Sequence, residues 1–579
     1  MNSPSFKRFF LLFDVGHVRL NYLSASKMAR KKVRYDEILP DKDQWPIVKL
    51  SQNREAFIKQ VTDETFDHLF NNGTPIREEL ETTLYKERIR IRANPWKVDP
   101  PDDSSFWNTI KTELSETAQL TPEETAEKEK ELMQRIIQRY ADEIAGNFKQ
   151  TYYRFARTFI TFGFARLLNA TRVKGFTALF SRQLDLDDKI HIVGETEHIR
   201  KLAKIGTVVM VPTHFSNLDS ILIGWVIQFL GLPAFIYGAG LNLFNIKILA
   251  YFMNSLGAYK VDRRKKNPIY LETLKNYSKL ALTEGAHSLF FPGGTRSRSG
   301  EIEKNLKLGL LGTAIEAQRE LYQAGSDKKV FIVPVVINYH FVLEAPALIK
   351  EYLKKTGQER FYQEADEYST SYKMATFMLK FFTKGSDISI SIGKGMDVLG
   401  NYVDDEGVSC DAKGNKLDTR DYFLSSDKVN KDTQRENEYV RILSKRIVEE
   451  FHKYNRVFAS HLVAYTAFKM LERRNPKLDL YGVLRLADEE LEIDYEEFKE
   501  AYKKLRDRII KLHKEGKVDV ADHMKERATI SILDGINNVG MYHAKRPLIM
   551  KNNKIIIQDP NTLYYYHNRM EGYELEKYI

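Results

Sequence analysis

The sequence predicts an α/β fold: a mixed sheet flanked by helices, with helical regions before and after it. Three observations predict it. Between Ile190 and Gly393, short β-branched and apolar runs alternate with helix-length segments, the pattern of strands joined by crossover helices. Residues 1–147 read as mostly helical and polar. From residue 401 onward helix-length segments return and end in a short hairpin pattern. A chain of 579 residues exceeds what one hydrophobic core holds, so the expected division is 1–147, an α/β unit at 148–400, and 401–579.

Taken in order, Asn94–Pro101 reads as a loop, and Thr121–Glu143, dense in Glu, Lys and Arg, as a solvated helix. From Ile144 to Leu184 there is no Asp or Glu, while Lys149, Arg154, Arg157, Arg166, Arg172, Lys174 and Arg182 all lie within it. Phe148, Tyr152, Phe155, Phe159 and Phe162 recur at steps of four and three, one aromatic face of a helix. Bulky apolar groups ringed by cations suit the headgroup region of an anionic membrane, and a membrane-surface helix is the expectation. Strands are expected at Ile190–Val193 and Thr207–Val211. The uncharged run Ser220–Ile246 is long enough to raise a membrane span, but Gly231-Leu232-Pro233 breaks it into a short helix and a strand, Ala234–Tyr237. Buried core or shallow immersion is therefore favoured over spanning.

Next come a strand from Gly257 that ends in Arg263 and Arg264, a helix Pro268–Glu284, a strand His287–Phe291, a helix Leu306–Leu321 and a buried strand Phe331–Asn338 containing Pro334. Residues 401–430 read as a polar loop or insertion. Helices follow near Asn437–His452, Ser460–Arg473 and Tyr495–Glu515, with Asp488–Glu497 as acidic solvated surface. Leu548–Ile557, with Asn552-Asn553 central, reads as a hairpin against which Tyr564–Tyr566 packs.

Composition narrows the function classes. The net charge of +10 suggests an anionic partner: nucleic acid, a phospholipid surface or a phosphorylated metabolite. No recognisable nucleic-acid module is present, so nucleic acid is not an expected partner. The single cysteine, Cys410, excludes an intramolecular disulfide and fits a reducing compartment. The apolar run near the N-terminus is short and broken by Asp14, unlike a signal peptide.

Two stretches carry chemistry. In Val208–Asp219 a buried strand runs into Pro212, His214 follows at its end, and Asp219 comes five residues later. Pro212 is expected to stop the strand's pairing, and Ser216 or Asn217 to cap the next helix. A carboxylate there can hold one imidazole nitrogen while the other faces a substrate. In Pro292–Gly300, glycines and hydroxyls combine with Arg296 and Arg298. Backbone N–H groups of such a loop can wrap an anion while guanidinium forks grip its oxygens. It is not a Walker loop, because the Gly-Lys-Ser/Thr ending is absent. His214, Arg263, Arg296 and Arg298 all stand at or just past strand ends, where ligands of such sheets collect.

Four stretches in this order resemble the motifs of the glycerolipid acyltransferase superfamily: His214-x4-Asp219, Gly257 to Arg263, Phe291 to Ser297, and Val333-Pro334-Val335. Gly240-Leu241-Asn242-Leu243, Arg296 to Gly300, Tyr339 to Glu351, His461-Leu462-Val463-Ala464 and Leu563 to Asn568 resemble the large bacterial glycerol-3-phosphate acyltransferases. The resemblance runs from about Lys149 to the C-terminus. In one departure, Gly293 replaces the third motif's glutamate, which leaves the acceptor open; Glu301 and Glu303 are candidates to take that carboxylate's place.

The resemblance implies an O-acyltransferase of phospholipid synthesis. It would move a fatty acyl group from acyl-CoA or acyl carrier protein to the sn-1 hydroxyl of glycerol 3-phosphate. His214 would be the general base and Asp219 its orienting carboxylate. Arg263, Gly293, Gly294, Thr295, Arg296, Ser297, Arg298 and Pro334 would form the substrate site, with no metal and no cofactor beyond the acyl carrier. A peripheral or monotopic place on the cytoplasmic face of the inner cell membrane is expected. Lysophosphatidic acid, dihydroxyacetone phosphate or an amino-lipid as acceptor, or anionic-lipid binding without catalysis, are the alternatives.

Overall fold

The computed structural model describes residues 35–71, 75–153, 190–241, 257–356 and 387–579. At its centre is a seven-stranded sheet built from β1 (Ile190–Gly194), β2 (Thr207–Pro212), β3 (Ile236–Gly240), β4 (Ala258–Val261), β5 (Ser288–Leu289), β6 (Val330–Tyr339) and β7 (Ile388–Ile392), in the order β1-β7-β6-β2-β5-β3-β4. From β6 to β4 all pairings are parallel. β7 runs antiparallel to β6 and carries β1 parallel to itself, which makes the sheet mixed.

β2 and β6 are buried throughout, as expected of central strands covered on both faces. Val208, Met210, Val333, Val335 and Ile337 meet the helix Asp219–Phe229 and the C-terminal helices Ala459–Arg474, Tyr495–Lys514 and Ala528–Asn538. The alternate residues Val209, Val211, Ile332 and Val336 meet the helices Leu308–Gln323 and Thr433–Tyr454. Each such apolar side chain contributes about 1.5–3 kcal/mol on burial. The C-terminal region is thus one wall of the central sheet's core. The N-terminal helices pack elsewhere: Ile58, Val61, Trp107, Ile136 and Tyr140 share a cluster with Ile236, Tyr259, Tyr270 and Tyr277, on the β3–β4 side.

Several expectations change. Thr121–Glu143 is the helix Pro122–Ile144, started by a capping box between Thr121 and Glu124. It is amphipathic rather than solvated all round, because Leu132, Met133, Ile136, Ile137 and Tyr140 are buried. Phe148 precedes the helical turn that begins at Gln150 and is buried in the N-terminal core, while Tyr152 is exposed. Phe155, Phe159 and Phe162 lie outside the described residues, and with them most of the expected membrane-surface helix. β2 runs through Pro212, paired with Val335. The proline's missing N–H falls on the β5 side, where β5 ends at Leu289, so no ladder bond is lost there. Residues 402–429 form a small three-stranded meander and a hairpin. The acidic stretch 488–497 contributes a strand, Glu492–Asp494, to the C-terminal hairpin, with Leu491 and Ile493 buried. That hairpin turns at Asn552 and Asn553, both left-handed at φ 52° and 56°. Tyr565 and Tyr566 are buried, in keeping with the packing expected of that cluster. Among the described residues no helix is long and apolar enough to cross a membrane.

Candidate active site

Asp219 opens the helix that follows β2, and it is fully buried. Its Oδ2 accepts the N–H groups of Phe215 (2.6 Å) and Ser216 (2.8 Å) and lies 2.8 Å from His214 Nδ1. Its Oδ1 accepts the hydroxyl of Tyr339 from the end of β6. An ionised carboxylate only accepts, so the geometry assigns the proton to His214 Nδ1 and leaves the lone pair on Nε2. The expected cap is different in kind: Leu218 occupies the cap position with no side-chain bond, and Asp219 itself ties down the turn. Ser216 and Asn217 instead donate to Glu344, at 3.1 Å from Ser216 Oγ and 3.0 Å from the Asn217 N–H.

The imidazole is held at Nδ1 and on one face, and its main chain is held on both sides. Its face stacks on Phe291 at 4.1 Å between centroids. Its main-chain N–H donates to Glu303 Oε1 (3.1 Å), and its carbonyl accepts the Ser297 N–H (2.7 Å). That last bond ties the glycine loop to the base. Within the loop, Gly294 adopts φ 76° and donates its N–H to the Phe291 carbonyl at 2.9 Å. Gly294's N–H thus closes a turn instead of facing an anion.

Three guanidinium groups gather beside this loop. Arg296 leans on Glu344 at 3.4 Å. Arg298 donates to Glu351 (2.6 Å) and to Thr295 Oγ1 (3.3 Å). Desolvation, then repulsion from Arg298 and Arg296, lowers the pKa of Arg263, and no carboxylate among the described residues is paired with it. A phosphate between them would relieve that repulsion with charge-assisted, two-pronged bonds. Burial raises the Glu344 carboxyl's pKa and Arg296 opposes the rise. Arg264, next to Arg263, is committed elsewhere. It pairs with Asp99 and Asp262 and lies 3.9 Å over the Trp96 ring. The N-terminal helical region therefore pins the backbone that presents Arg263.

The remaining predicted residues are structural in their recorded contacts. Ser297 Oγ donates to the Glu301 carbonyl. Pro334 lies inside β6 in register with Val211, its ring against Gly393. Its carbonyl accepts the Gly393 N–H and it has no N–H to return, so the β6–β7 ladder breaks there. It shapes the strand, and no hydrogen bond or ion pair among the described residues joins it to the arginines.

Three contributors were not singled out as site residues: Tyr339 and Glu344, which lie in the motif stretch Tyr339 to Glu351, and Arg569, which lies just past Leu563 to Asn568. Arg569 is buried, its guanidinium 3.9 Å over Phe215, with bonds to the Ile337 carbonyl (2.8 Å), Asn338 Oδ1 (2.6 Å) and Asn455 Oδ1 (3.1 Å). Burial pushes its pKa down to about 10. Asn568 donates to the Ser299 carbonyl at 2.8 Å, and the Tyr565 carbonyl would lie 2.1 Å from a Cβ at Gly300. The C-terminal end therefore clamps the glycine loop from behind. Its only prior signal was the stretch Leu563 to Asn568.

Comparison with known proteins finds similarity over this part of the chain. The acyltransferase family model matches residues 192–338, which hold the dyad, the glycine loop and β6. The chain is thus similar to acyltransferases across the stretch that carries the dyad and the glycine loop. It is 27% identical over 262 residues to the glycerol-3-phosphate acyltransferase of Pseudoalteromonas atlantica, covering 45% of this chain and 29% of that protein. It is 29% identical over 251 residues to that of Aeromonas hydrophila, covering 42% of this chain and 28% of that protein. The chain thus spans under a third of the length of these relatives. The solved 1-acyl-sn-glycerophosphate (LPA) acyltransferase of Thermotoga maritima aligns at 16% identity and a TM-score of 0.23, over 52% of this chain and 94% of that chain. A likeness that slight bears on neither fold nor site.

Proposed function

We propose that this protein transfers a fatty acyl group from acyl-CoA or acyl carrier protein to the sn-1 hydroxyl of glycerol 3-phosphate. The observation that carries the reading is the join between base and cations: His214, fixed by Asp219, is bonded through its carbonyl to the loop bearing Arg296 and Arg298. An alcohol is a weak nucleophile at neutral pH, so it needs a base as it attacks the thioester carbon. His214 Nε2 takes that proton, and Asp219 offsets the charge of the imidazolium. The departing thiolate is a good leaving group, so the step requires no metal and no covalent enzyme intermediate. Arg263, Arg296 and Arg298 hold the phosphate and bring the hydroxyl to the base. The relatives' names support glycerol 3-phosphate as acceptor. The acid-free stretch 144–184 and the charge of +10 support work at an anionic membrane surface, peripheral or monotopic, on the cytoplasmic face.

Gly293 favours a second reading. The motif's carboxylate is missing there, and the alternative acceptors are dihydroxyacetone phosphate, lysophosphatidic acid or an amino-lipid. Thiol release from palmitoyl-CoA by the purified chain, with each acceptor in turn, decides between them. Release dependent on glycerol 3-phosphate and yielding a 1-acyl product is expected; release with another acceptor alone would overturn the first reading. Binding to anionic vesicles with no thiol release from any acceptor would make the protein a lipid binder.

Two substitutions probe the cations. Arg296→Ala should raise the acceptor KM by about 10-fold or more, the scale of a charge-assisted bond, with a smaller change in kcat. Arg264→Met should raise the same KM several-fold, because it frees the segment that presents Arg263. Unchanged KM values in steady-state kinetics would contradict the two assignments.

A further inference from the structure

Glu303 lies in none of the sequence's recognisable motifs, yet its carboxyl reaches the centre of the site. Glu301, two residues earlier, pairs with Lys304 at 3.0 Å and remains at the surface. Glu303 turns the other way. Part of the residue is exposed, but Oε1 accepts the His214 N–H at 3.1 Å and Oε2 is enclosed without a hydrogen-bond partner among the described residues. It also occupies the room beside Gly293: a Cβ built there would fall 2.8 Å from Glu303 Cγ and 3.0 Å from Oε1. Gly293 is not among the glycines with positive φ, unlike Gly294. Space, and not backbone strain, is what a side chain at 293 lacks.

We propose that Glu303 is the positioning residue of this site: its carboxylate stands where a side chain at residue 293 would stand, holds the His214 main chain, and sets the imidazole's reach toward the acceptor hydroxyl. The proposal rests on the acyl-transfer reading above. Its mechanical content is simple. His214 is pinned at its N–H by Glu303, at its carbonyl by Ser297 and at its ring by Asp219 and Phe291. Releasing the first pin lets the base drift, and a displacement of about 1 Å can cost on the order of 100-fold in rate.

The energetics separate this role from plain structure. Burial pushes the Glu303 carboxyl up to about 7, with Asp219 adding to the rise and Arg569 and the His214 N–H opposing it. A carboxyl whose folded pKa is raised contributes stability below its unfolded pKa and loses it as the pH climbs through the folded one. Above neutrality, then, this charge costs the fold stability. A group that costs stability while touching the base is what a site keeps for activity.

The test uses the full chain and thiol release with glycerol 3-phosphate. Glu303→Ala should lower kcat by about 10- to 100-fold with the acceptor KM changed less than about 3-fold. Glu303→Gln keeps an oxygen for the His214 N–H but loses the charge. It should hold kcat within about 3-fold of the parent and leave the Tm at pH 8 no lower than the parent's, so that the pin, and not the charge, is what alanine removes. The double variant Gly293→Glu with Glu303→Gly moves the carboxylate to the other side of the same space. It should recover kcat at least several-fold over Glu303→Ala, whereas Gly293→Glu alone should lose activity. A Glu303→Ala enzyme within about 2-fold of the parent kcat, a folded Glu303→Gln enzyme as slow as Glu303→Ala, or a folded swap no better than Glu303→Ala overturns the proposal. A parent chain silent with glycerol 3-phosphate but active on another phosphorylated acceptor defeats only the acceptor reading, and the same variants are then compared on that acceptor.

Discussion

His214→Ala is expected to lower kcat at least about 100-fold, the usual scale of a lost general base. The substitution removes the only imidazole held by a buried carboxylate beside the arginine-bearing loop among the described residues. It should leave the fold intact, because the contacts that hold the segment are main-chain bonds to Glu303 and Ser297, which alanine keeps. The acceptor KM should change little, since the phosphate-holding groups are elsewhere. Thiol-release kinetics on protein with a parental melting curve measure this. A folded His214→Ala enzyme with near-normal turnover would remove the residue from proton transfer.

Asp219→Asn is expected to cost between about 100- and 10⁴-fold in kcat, for a different reason. Asp219 Oδ2 accepts from the His214 ring and from two backbone N–H groups, and Oδ1 accepts from Tyr339. Two N–H donors bind Oδ2, so that oxygen cannot become the amide nitrogen without leaving them unpaired. Placing the amide nitrogen at the other atom sets it against the Tyr339 hydroxyl, which must turn its proton away. In either arrangement the carboxylate charge that offsets the imidazolium is gone, and in one the wrong tautomer is favoured; the serine-protease triad gives the scale of such a loss. The fully buried charge makes stability the control. Parental Tm with a collapsed kcat is the expected pair of readings, and parental kcat would show that the dyad is a structural cap.

Much of the sheet could be read from the sequence because burial on both faces leaves continuous apolar runs. Val208 to Val211 and Phe331 to Ile337 are such runs, and both are central strands. The polar helix Pro122–Ile144 misled because its charges outnumber a narrow buried stripe. At the site, spacing alone suggested that His214 and Asp219 meet, since five residues span one tight turn. No local pattern separates Arg263 from Arg264, though one faces the cation cluster and the other is bound by Asp99, 165 residues away in sequence. Glu303 and Glu301 were equally good candidates for the same reason: which carboxylate turns inward depends on a loop closed by Ser297 and Lys307. Arg569 and Asn568 reach the site only through the packing of the last helix, which sequence distance conceals.

Acyl transfer as proposed requires an acceptor held by arginines while its hydroxyl meets the base. A crystal structure of the His214→Ala protein soaked with glycerol 3-phosphate measures that directly. The expected density has the phosphate within about 3.2 Å of guanidinium nitrogens from Arg263, Arg296 and Arg298, and the sn-1 hydroxyl directed at the space vacated by the ring. A phosphate bound away from those arginines, or a hydroxyl turned from residue 214, would contradict it.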